Sequence, residues 1–185
     1  MMLASLSQPY RAAREGAALL PQARGLIVVS GRDRASYLQG LLTNDIAALQ
    51  AGQGCYAAYL TAQGRMISDL HAYELGDVLL LRLPTTTKDV VLARLDQFIF
   101  SEDVQLGEVS ETFVTVDVVG PDAARVVAQA TGVATADLDA LDEHGNRRHD
   151  VLGQPHIILR VDDAGVPGFE VIGPRETAAS LRDAL

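Results

Sequence analysis

The run GCYAAYLTAQGRMISDLHAY, residues Gly54–Tyr73, decides how this chain is read. Two stretches with strand character flank Gln63-Gly64, the kind of short glycine-containing break that closes a β-hairpin. With Gln63 and Gly64 as the two loop residues, Ala62 faces Arg65, Ala58 faces Asp69, Tyr56 faces His71 and Gly54 faces Tyr73. Side chains alternate along a strand, so Asp69, His71 and Tyr73 project from one face with Tyr56 beside them. Gly54 and Ala58 leave room between them. A one-residue slip would turn Tyr56 to the other face, so the grouping depends on this register. A carboxylate placed among phenols is a candidate general base or charge stabiliser. The bland alternative is a solvated aspartate on a half-exposed hairpin. His71 reads as a neighbour on that face rather than a catalyst.

Outward from the hairpin, Leu26–Val29 is a short buried strand, followed by Gly31, by Asp33 as a helix cap and by a helical face of Ala35, Leu38, Leu41 and Leu42. After Tyr73, Gly76-Asp77 turns the chain into the apolar strand Val78–Leu83. Pro84 stops it, and one of Thr85–Thr87 caps a helix over 89–100 that buries Val90, Leu92, Leu95, Phe98 and Ile99. Val104–Val109 and Phe113–Val119 are further strands. The pattern then returns. VDVVGPDAARVVAQATG (Val116–Gly132) repeats the layout of LIVVSGRDRASYLQGLLT (Leu26–Thr43): buried strand, Gly, Asp two residues on, then a helix. Val166–Gly173 with Pro174 and a final helix repeats Val78–Leu83 with Pro84. The expected class is α+β, with internally duplicated strand-helix and hairpin-helix units. Residues 1–24 read as an extension with a helical turn around Tyr10–Ala18, and 134–150 as an exposed loop. His156–Val161 and Phe169–Ile172 form a second hairpin across Asp163-Ala164-Gly165. On it Glu170 interrupts an apolar strand, where a carboxylate could accept two parallel hydrogen bonds from a flat heterocycle or simply mark a polar edge.

The 185 residues are 48% hydrophobic and 21% charged, an ordinary globular balance. No apolar run approaches the ~20 residues that span a bilayer, and no secretion signal opens the chain. A soluble protein with no membrane partner is expected. Cys55 is the single cysteine, which precludes an intramolecular disulfide and fits a cytoplasmic protein. A net charge of −9 argues against nucleic acid as a partner. No Gly-x-Gly-x-x-Gly or Walker sequence follows a strand. His144, His149 and His156 have no standard metal-site spacing, so no metal is expected.

YLQGLLTNDI (Tyr37–Ile46), followed by the Gly64–Tyr73 hairpin strand, the Gly-Pro-Asp-Ala helix start and the Gly-Phe-Glu strand, resembles the folate-binding region of the YgfZ/aminomethyltransferase superfamily. That superfamily contains the glycine-cleavage T-protein and the YgfZ-type proteins linked to iron–sulfur cluster maturation. The resemblance implies a folate-binding region over 25–185, built from two interlocked halves, 25–111 and 112–185. It assigns Asp69 to the catalytic carboxylate near the reacting folate nitrogen, Tyr56 and Tyr73 to the aromatic lining and Glu170 to the pterin edge. Asn44 and Asp45 belong to the signature as structural support. Tetrahydrofolate, or a one-carbon derivative of it, is the implied ligand. The short lead into Leu26 and the YLQG start favour the YgfZ branch. The expected role is thus a tetrahydrofolate-binding accessory protein for iron–sulfur enzymes or their assembly machinery. The alternative is a folate-dependent aminomethyl transferase like the T-protein, and whether a reaction is catalysed stays open. The family's C-terminal β-barrel and the YgfZ cysteine motif are absent from this chain, which reads as a truncated form.

Overall fold

The computed structural model describes residues 2–20, 23–151 and 153–185, with side chains from residue 8 onward. In chain order the elements are α1 (Met2–Glu15), β1 (Ala18–Leu20), β2 (Arg24–Ser30), α2 (Arg34–Gln39), β3 (Gly54–Leu60), β4 (Met66–Glu74), β5 (Leu79–Pro84), α3 (Thr85–Asp96) and β6 (Gln105–Glu108). They continue with β7 (Phe113–Val119), α4 (Ala123–Thr131), α5 (Thr135–Asp139), β8 (Asn146–Val151), β9 (Gln154–Val161), β10 (Gly168–Pro174), a single 3₁₀ turn and α6 (Ala178–Ala184). The chain is a mixed α/β protein with two five-stranded antiparallel sheets, ordered β3-β4-β5-β2-β6 and β1-β7-β10-β9-β8. Among the described residues, no helix is long and apolar enough to cross a membrane.

Contacts divide the chain into two units. One comprises Ala23–Glu111 with His144–Asn146, and the other Met1–Gln22, Thr112–Glu143 and Arg147–Leu185. In the first, strand alternation puts Ile27, Val29, Cys55, Ala57, Tyr59, Leu70, Ala72, Leu79, Leu81 and Leu83 into one core with Tyr37 and Leu38 of α2 and Val91 and Leu95 of α3. The hydroxyl of Tyr37 donates to the Leu95 carbonyl, so a buried phenol is satisfied and ties α2 to α3. In the second unit, Val116, Val118, Ile158, Phe169 and Val171 pack against Ala123, Ala124 and Val127 of α4.

Several expectations are revised. The N-terminal stretch holds a 14-residue helix and a strand that pairs antiparallel with β7, rather than one helical turn. Residues 134–150 are not a continuous loop, since α5 and β8 lie within them. Asp33 precedes α2 but makes no side-chain cap; its Oδ2 instead accepts from the Asp103 amide at 2.8 Å. No threonine caps α3 either. Pro84 stands at that position, and the Thr87 hydroxyl donates back to its carbonyl at 3.2 Å. The helix therefore starts at Thr85, four residues before the expected 89, and ends at Asp96. Its buried residues are Val91 and Leu95, while Val90 and Phe98 are exposed.

Candidate functional site

The hairpin forms in the expected register but closes by a different route. Gly54 pairs with Tyr73, Tyr56 with His71 and Ala58 with Asp69. At the tip the loop is Ala62-Gln63-Gly64, three residues rather than two: the Thr61 amide donates to the Arg65 carbonyl at 2.8 Å and Gly64 takes φ +78°. A three-residue loop that ends in a left-handed glycine is a standard hairpin closure. It shifts the register by one, so Leu60 pairs with Met66, and a bulge at the next step restores it so that Tyr59 pairs with Ser68. The two offsets cancel. The site face is therefore the one that the sequence implies.

On that face Tyr56 is 48% exposed, whereas Asp69 and His71 are half-buried. The Tyr56 hydroxyl donates to Asp69 Oδ2 at 3.2 Å. Partial burial, the Asp69 charge and this bond together raise the Tyr56 phenol above its ordinary value, so it stays a donor across the neutral range. The Tyr56 ring meets His71 edge-on at 5.2 Å between centroids. His71 in turn stacks on Tyr73 at 6.1 Å and meets His144 at 4.8 Å.

Tyr73 has no exposed surface. The space that Gly54 leaves is filled by its ring: a Cβ on Gly54 would lie 2.6 Å from Tyr73 Cδ1, 2.6 Å from the His144 carbonyl oxygen and 2.9 Å from the Ala72 carbonyl oxygen. The glycine is required by close packing rather than by open space. Tyr56, Asp69 and Tyr73 thus lie together in one unit. Glu170 lies on β10 of the other, fully buried, directly opposite Asp117 on β7 and Leu159 on β9.

The Thr-Asn-Asp segment supports the hairpin's edge strand. Thr43 donates its amide to the Ala58 carbonyl at 3.1 Å and accepts the Ala58 amide on Oγ1 at 2.8 Å. Asn44 Nδ2 donates to the Tyr56 carbonyl at 2.8 Å. The backbone from the Tyr56 carbonyl to Ala58 is thereby fixed. Cys55 and Ala57 point the other way into the core, and burial raises the Cys55 thiol, as expected of an inert structural cysteine.

Two features escape the sequence reading. Arg82, only 2% exposed, pairs with His71 across the β4–β5 ladder, and its Nη1 lies 3.5 Å from His71 Nδ1. Its one signal is a charge inside the apolar run LLLRLP. The other is His144–Asn146. The buried Asn146 gives its amide to the Gly52 carbonyl at 2.8 Å and its Nδ2 to the Gln53 carbonyl at 2.9 Å. This holds His144, with φ +59°, against His71. The pairing joins residues about 90 positions apart, so local sequence carries no trace of it. Among the described residues, no group of three or more His, Cys, Asp or Glu is placed to hold a metal ion.

The aminomethyltransferase of Geobacillus kaustophilus is 30% identical over all of this chain and half of its own length. That of Nostoc is 27% identical over 98% of the chain and 49% of its own length, and that of Bacillus subtilis 30% over 92% and 47%. This chain spans about half the length of these relatives. Among solved structures, the glycine cleavage system aminomethyltransferase T of Bartonella henselae superposes with a TM-score of 0.82 at 24% identity, over 96% of this chain and 47% of that one, which shows the shared fold. These relatives are aminomethyltransferases, and nothing specific to YgfZ-type proteins emerges. The expectation of an accessory protein for iron–sulfur enzymes is therefore corrected. It leans on a short N-terminal lead, yet that segment folds as α1 and β1, and the similarity to the Geobacillus protein runs through it. The GCVT N-terminal domain model matches residues 2–185, and the chain belongs to that family.

Proposed function

We propose that this chain provides the folate-binding, reacting part of a tetrahydrofolate-dependent aminomethyltransferase, the activity that its relatives are named for. The observation that carries this reading is the Tyr56–Asp69 pair, a carboxylate held by a phenol on a half-exposed hairpin face. The residues fit a flat, nitrogen-rich ligand, since a ring face and a proton acceptor lie side by side within the reach of one ring system. Bound tetrahydrofolate would supply the nitrogens that accept the one-carbon unit. Tyr56 occupies Oδ2 of Asp69 and orients the carboxylate. That leaves Oδ1 to receive a departing proton or to stabilise positive charge as it develops. Thr43 and Asn44 keep β3 from shifting beneath the pair. Glu170 is proposed to accept the amino and ring N–H groups of the pterin edge, and Tyr73 to set the floor beneath the hairpin rings.

We also propose that the two halves, 25–111 and 112–185, are copies of one unit. Support comes from local geometry. Asp33 and Asp122 precede their helices at φ/ψ of −92°/4° and −91°/3°, each two residues after a glycine at positive φ. Pro84 and Pro174 precede theirs at −59°/135° and −53°/141°, and each accepts a hydroxyl three residues on, from Thr87 and Thr177.

Two measurements on the full-length protein test the functional reading. Titration calorimetry is expected to show tetrahydrofolate binding that Glu170→Ala weakens about tenfold or more, the loss of a charge-assisted pair. Methylene transfer to tetrahydrofolate is expected to disappear in Asp69→Asn. Unchanged turnover in that variant would overturn the role given to Asp69.

A further inference from the structure

We propose that His71 is a positioning residue for the Tyr56–Asp69 pair, its ring backing the phenol and keeping the hydroxyl on the carboxylate. This rests on the functional reading above for its consequence, though not for its geometry. At 3.2 Å the Tyr56–Asp69 bond is long for a hydroxyl on a carboxylate, and the ring that makes it is 48% exposed. Such a bond does not hold an exposed phenol by itself. The ring contact that it has is His71, edge-on at 5.2 Å.

His71 is placed from several directions. Tyr73 on its own strand stacks at 6.1 Å, His144 meets it at 4.8 Å, and Arg82 on β5 brings Nη1 to 3.5 Å from Nδ1. Groups around His71 include the rings of Tyr56, Tyr73 and His144 and the guanidinium of Arg82, with the Asp69 carboxylate two residues along the strand. The arrangement fixes the ring plane, and through it the angle from which Tyr56 reaches Asp69.

The test uses His71→Asn in the full-length protein, because this substitution removes the ring and keeps a polar side chain beside Arg82. The phenol of Tyr56 is followed by ultraviolet difference titration against a Tyr56→Phe control, and methylene transfer is measured on the same preparations. The proposal expects the Tyr56 phenol to fall back toward its ordinary value and kcat to drop about tenfold, with the KM for tetrahydrofolate little changed. His71→Phe, which restores a ring, is expected to recover most of the phenol shift. An unchanged Tyr56 titration in His71→Asn overturns the proposal. If His71→Asn fails to fold, His71→Phe serves in its place, and a phenol back at its ordinary value there also overturns the proposal. A wild-type protein without transfer activity, whose Tyr56 titration still depends on His71, would remove the functional reading and leave the positioning role standing.

Discussion

At the residue scale, the site depends on groups that leave little room for change. Gly54→Ala would drive a methyl group to 2.6 Å from both the Tyr73 ring and the His144 carbonyl oxygen. Backbone atoms cannot move aside cheaply, so a loss of about 1–3 kcal/mol is expected in denaturant unfolding. Asn146→Ala removes the side-chain donor from the Gln53 and Glu74 carbonyls, at 2.9 and 3.3 Å, and should cost about 2 kcal/mol in the same measurement. Asp69 and Tyr56 are visible in the sequence because strand alternation is a local property. Tyr73 filling the space over Gly54 is not, since a small residue in a strand marks open space and close packing alike. Arg82 and Asn146 stay hidden for a related reason. Asn146 meets carbonyls 93 and 72 positions away, and Arg82 meets His71 through the β4–β5 pairing, which alternation within a single strand does not fix.

At the element scale, the hairpin is legible and the start of α3 is not. The hairpin's outer register survives an error at its tip because the left-handed Gly64 and the bulge beside Leu60 offset each other. For α3 the three threonines suggest a side-chain cap, and the true boundary, Pro84, reads in sequence only as the end of the strand. Proline suits an N-terminal boundary because it lacks an amide proton that the helix could not use there. The face that α3 buries carries Val91 and Leu95, so Val90 is exposed, and Phe98, expected inside the helix, lies beyond its end and is exposed too. The Thr43 rung gives a prediction at this scale. Thr43→Val deletes the acceptor for the Ala58 amide at a sheet edge and should lower stability by about 1 kcal/mol. Thr43→Ser should restore most of it in the same unfolding experiment.

At the scale of the whole molecule, ionisable groups set a pH window. Amides of Phe100 and Ser101 lower the Glu102 carboxyl, Arg32 lowers that of Asp103, and Ser110 with Lys88 lowers that of Glu108. A carboxyl depressed in the folded state adds stability above its unfolded value and loses it as pH falls through the folded one. Burial raises the Tyr37 and Tyr59 phenols and the Cys55 thiol. These groups add stability below their unfolded values and lose it as pH rises past them. Thermal melts should therefore plateau between roughly pH 5 and 9 and fall on both sides. The acidic balance read from composition says nothing of the ligand, because the residues proposed to meet it are a few individual side chains. The account as a whole stands on Asp69, so it is tested most directly by single-turnover methylene transfer in the full-length protein and its Asp69→Asn variant, with tetrahydrofolate binding measured on both. Binding within about threefold of wild type, with transfer slowed at least about a hundredfold, is the predicted result. Transfer at the wild-type rate by Asp69→Asn would contradict it.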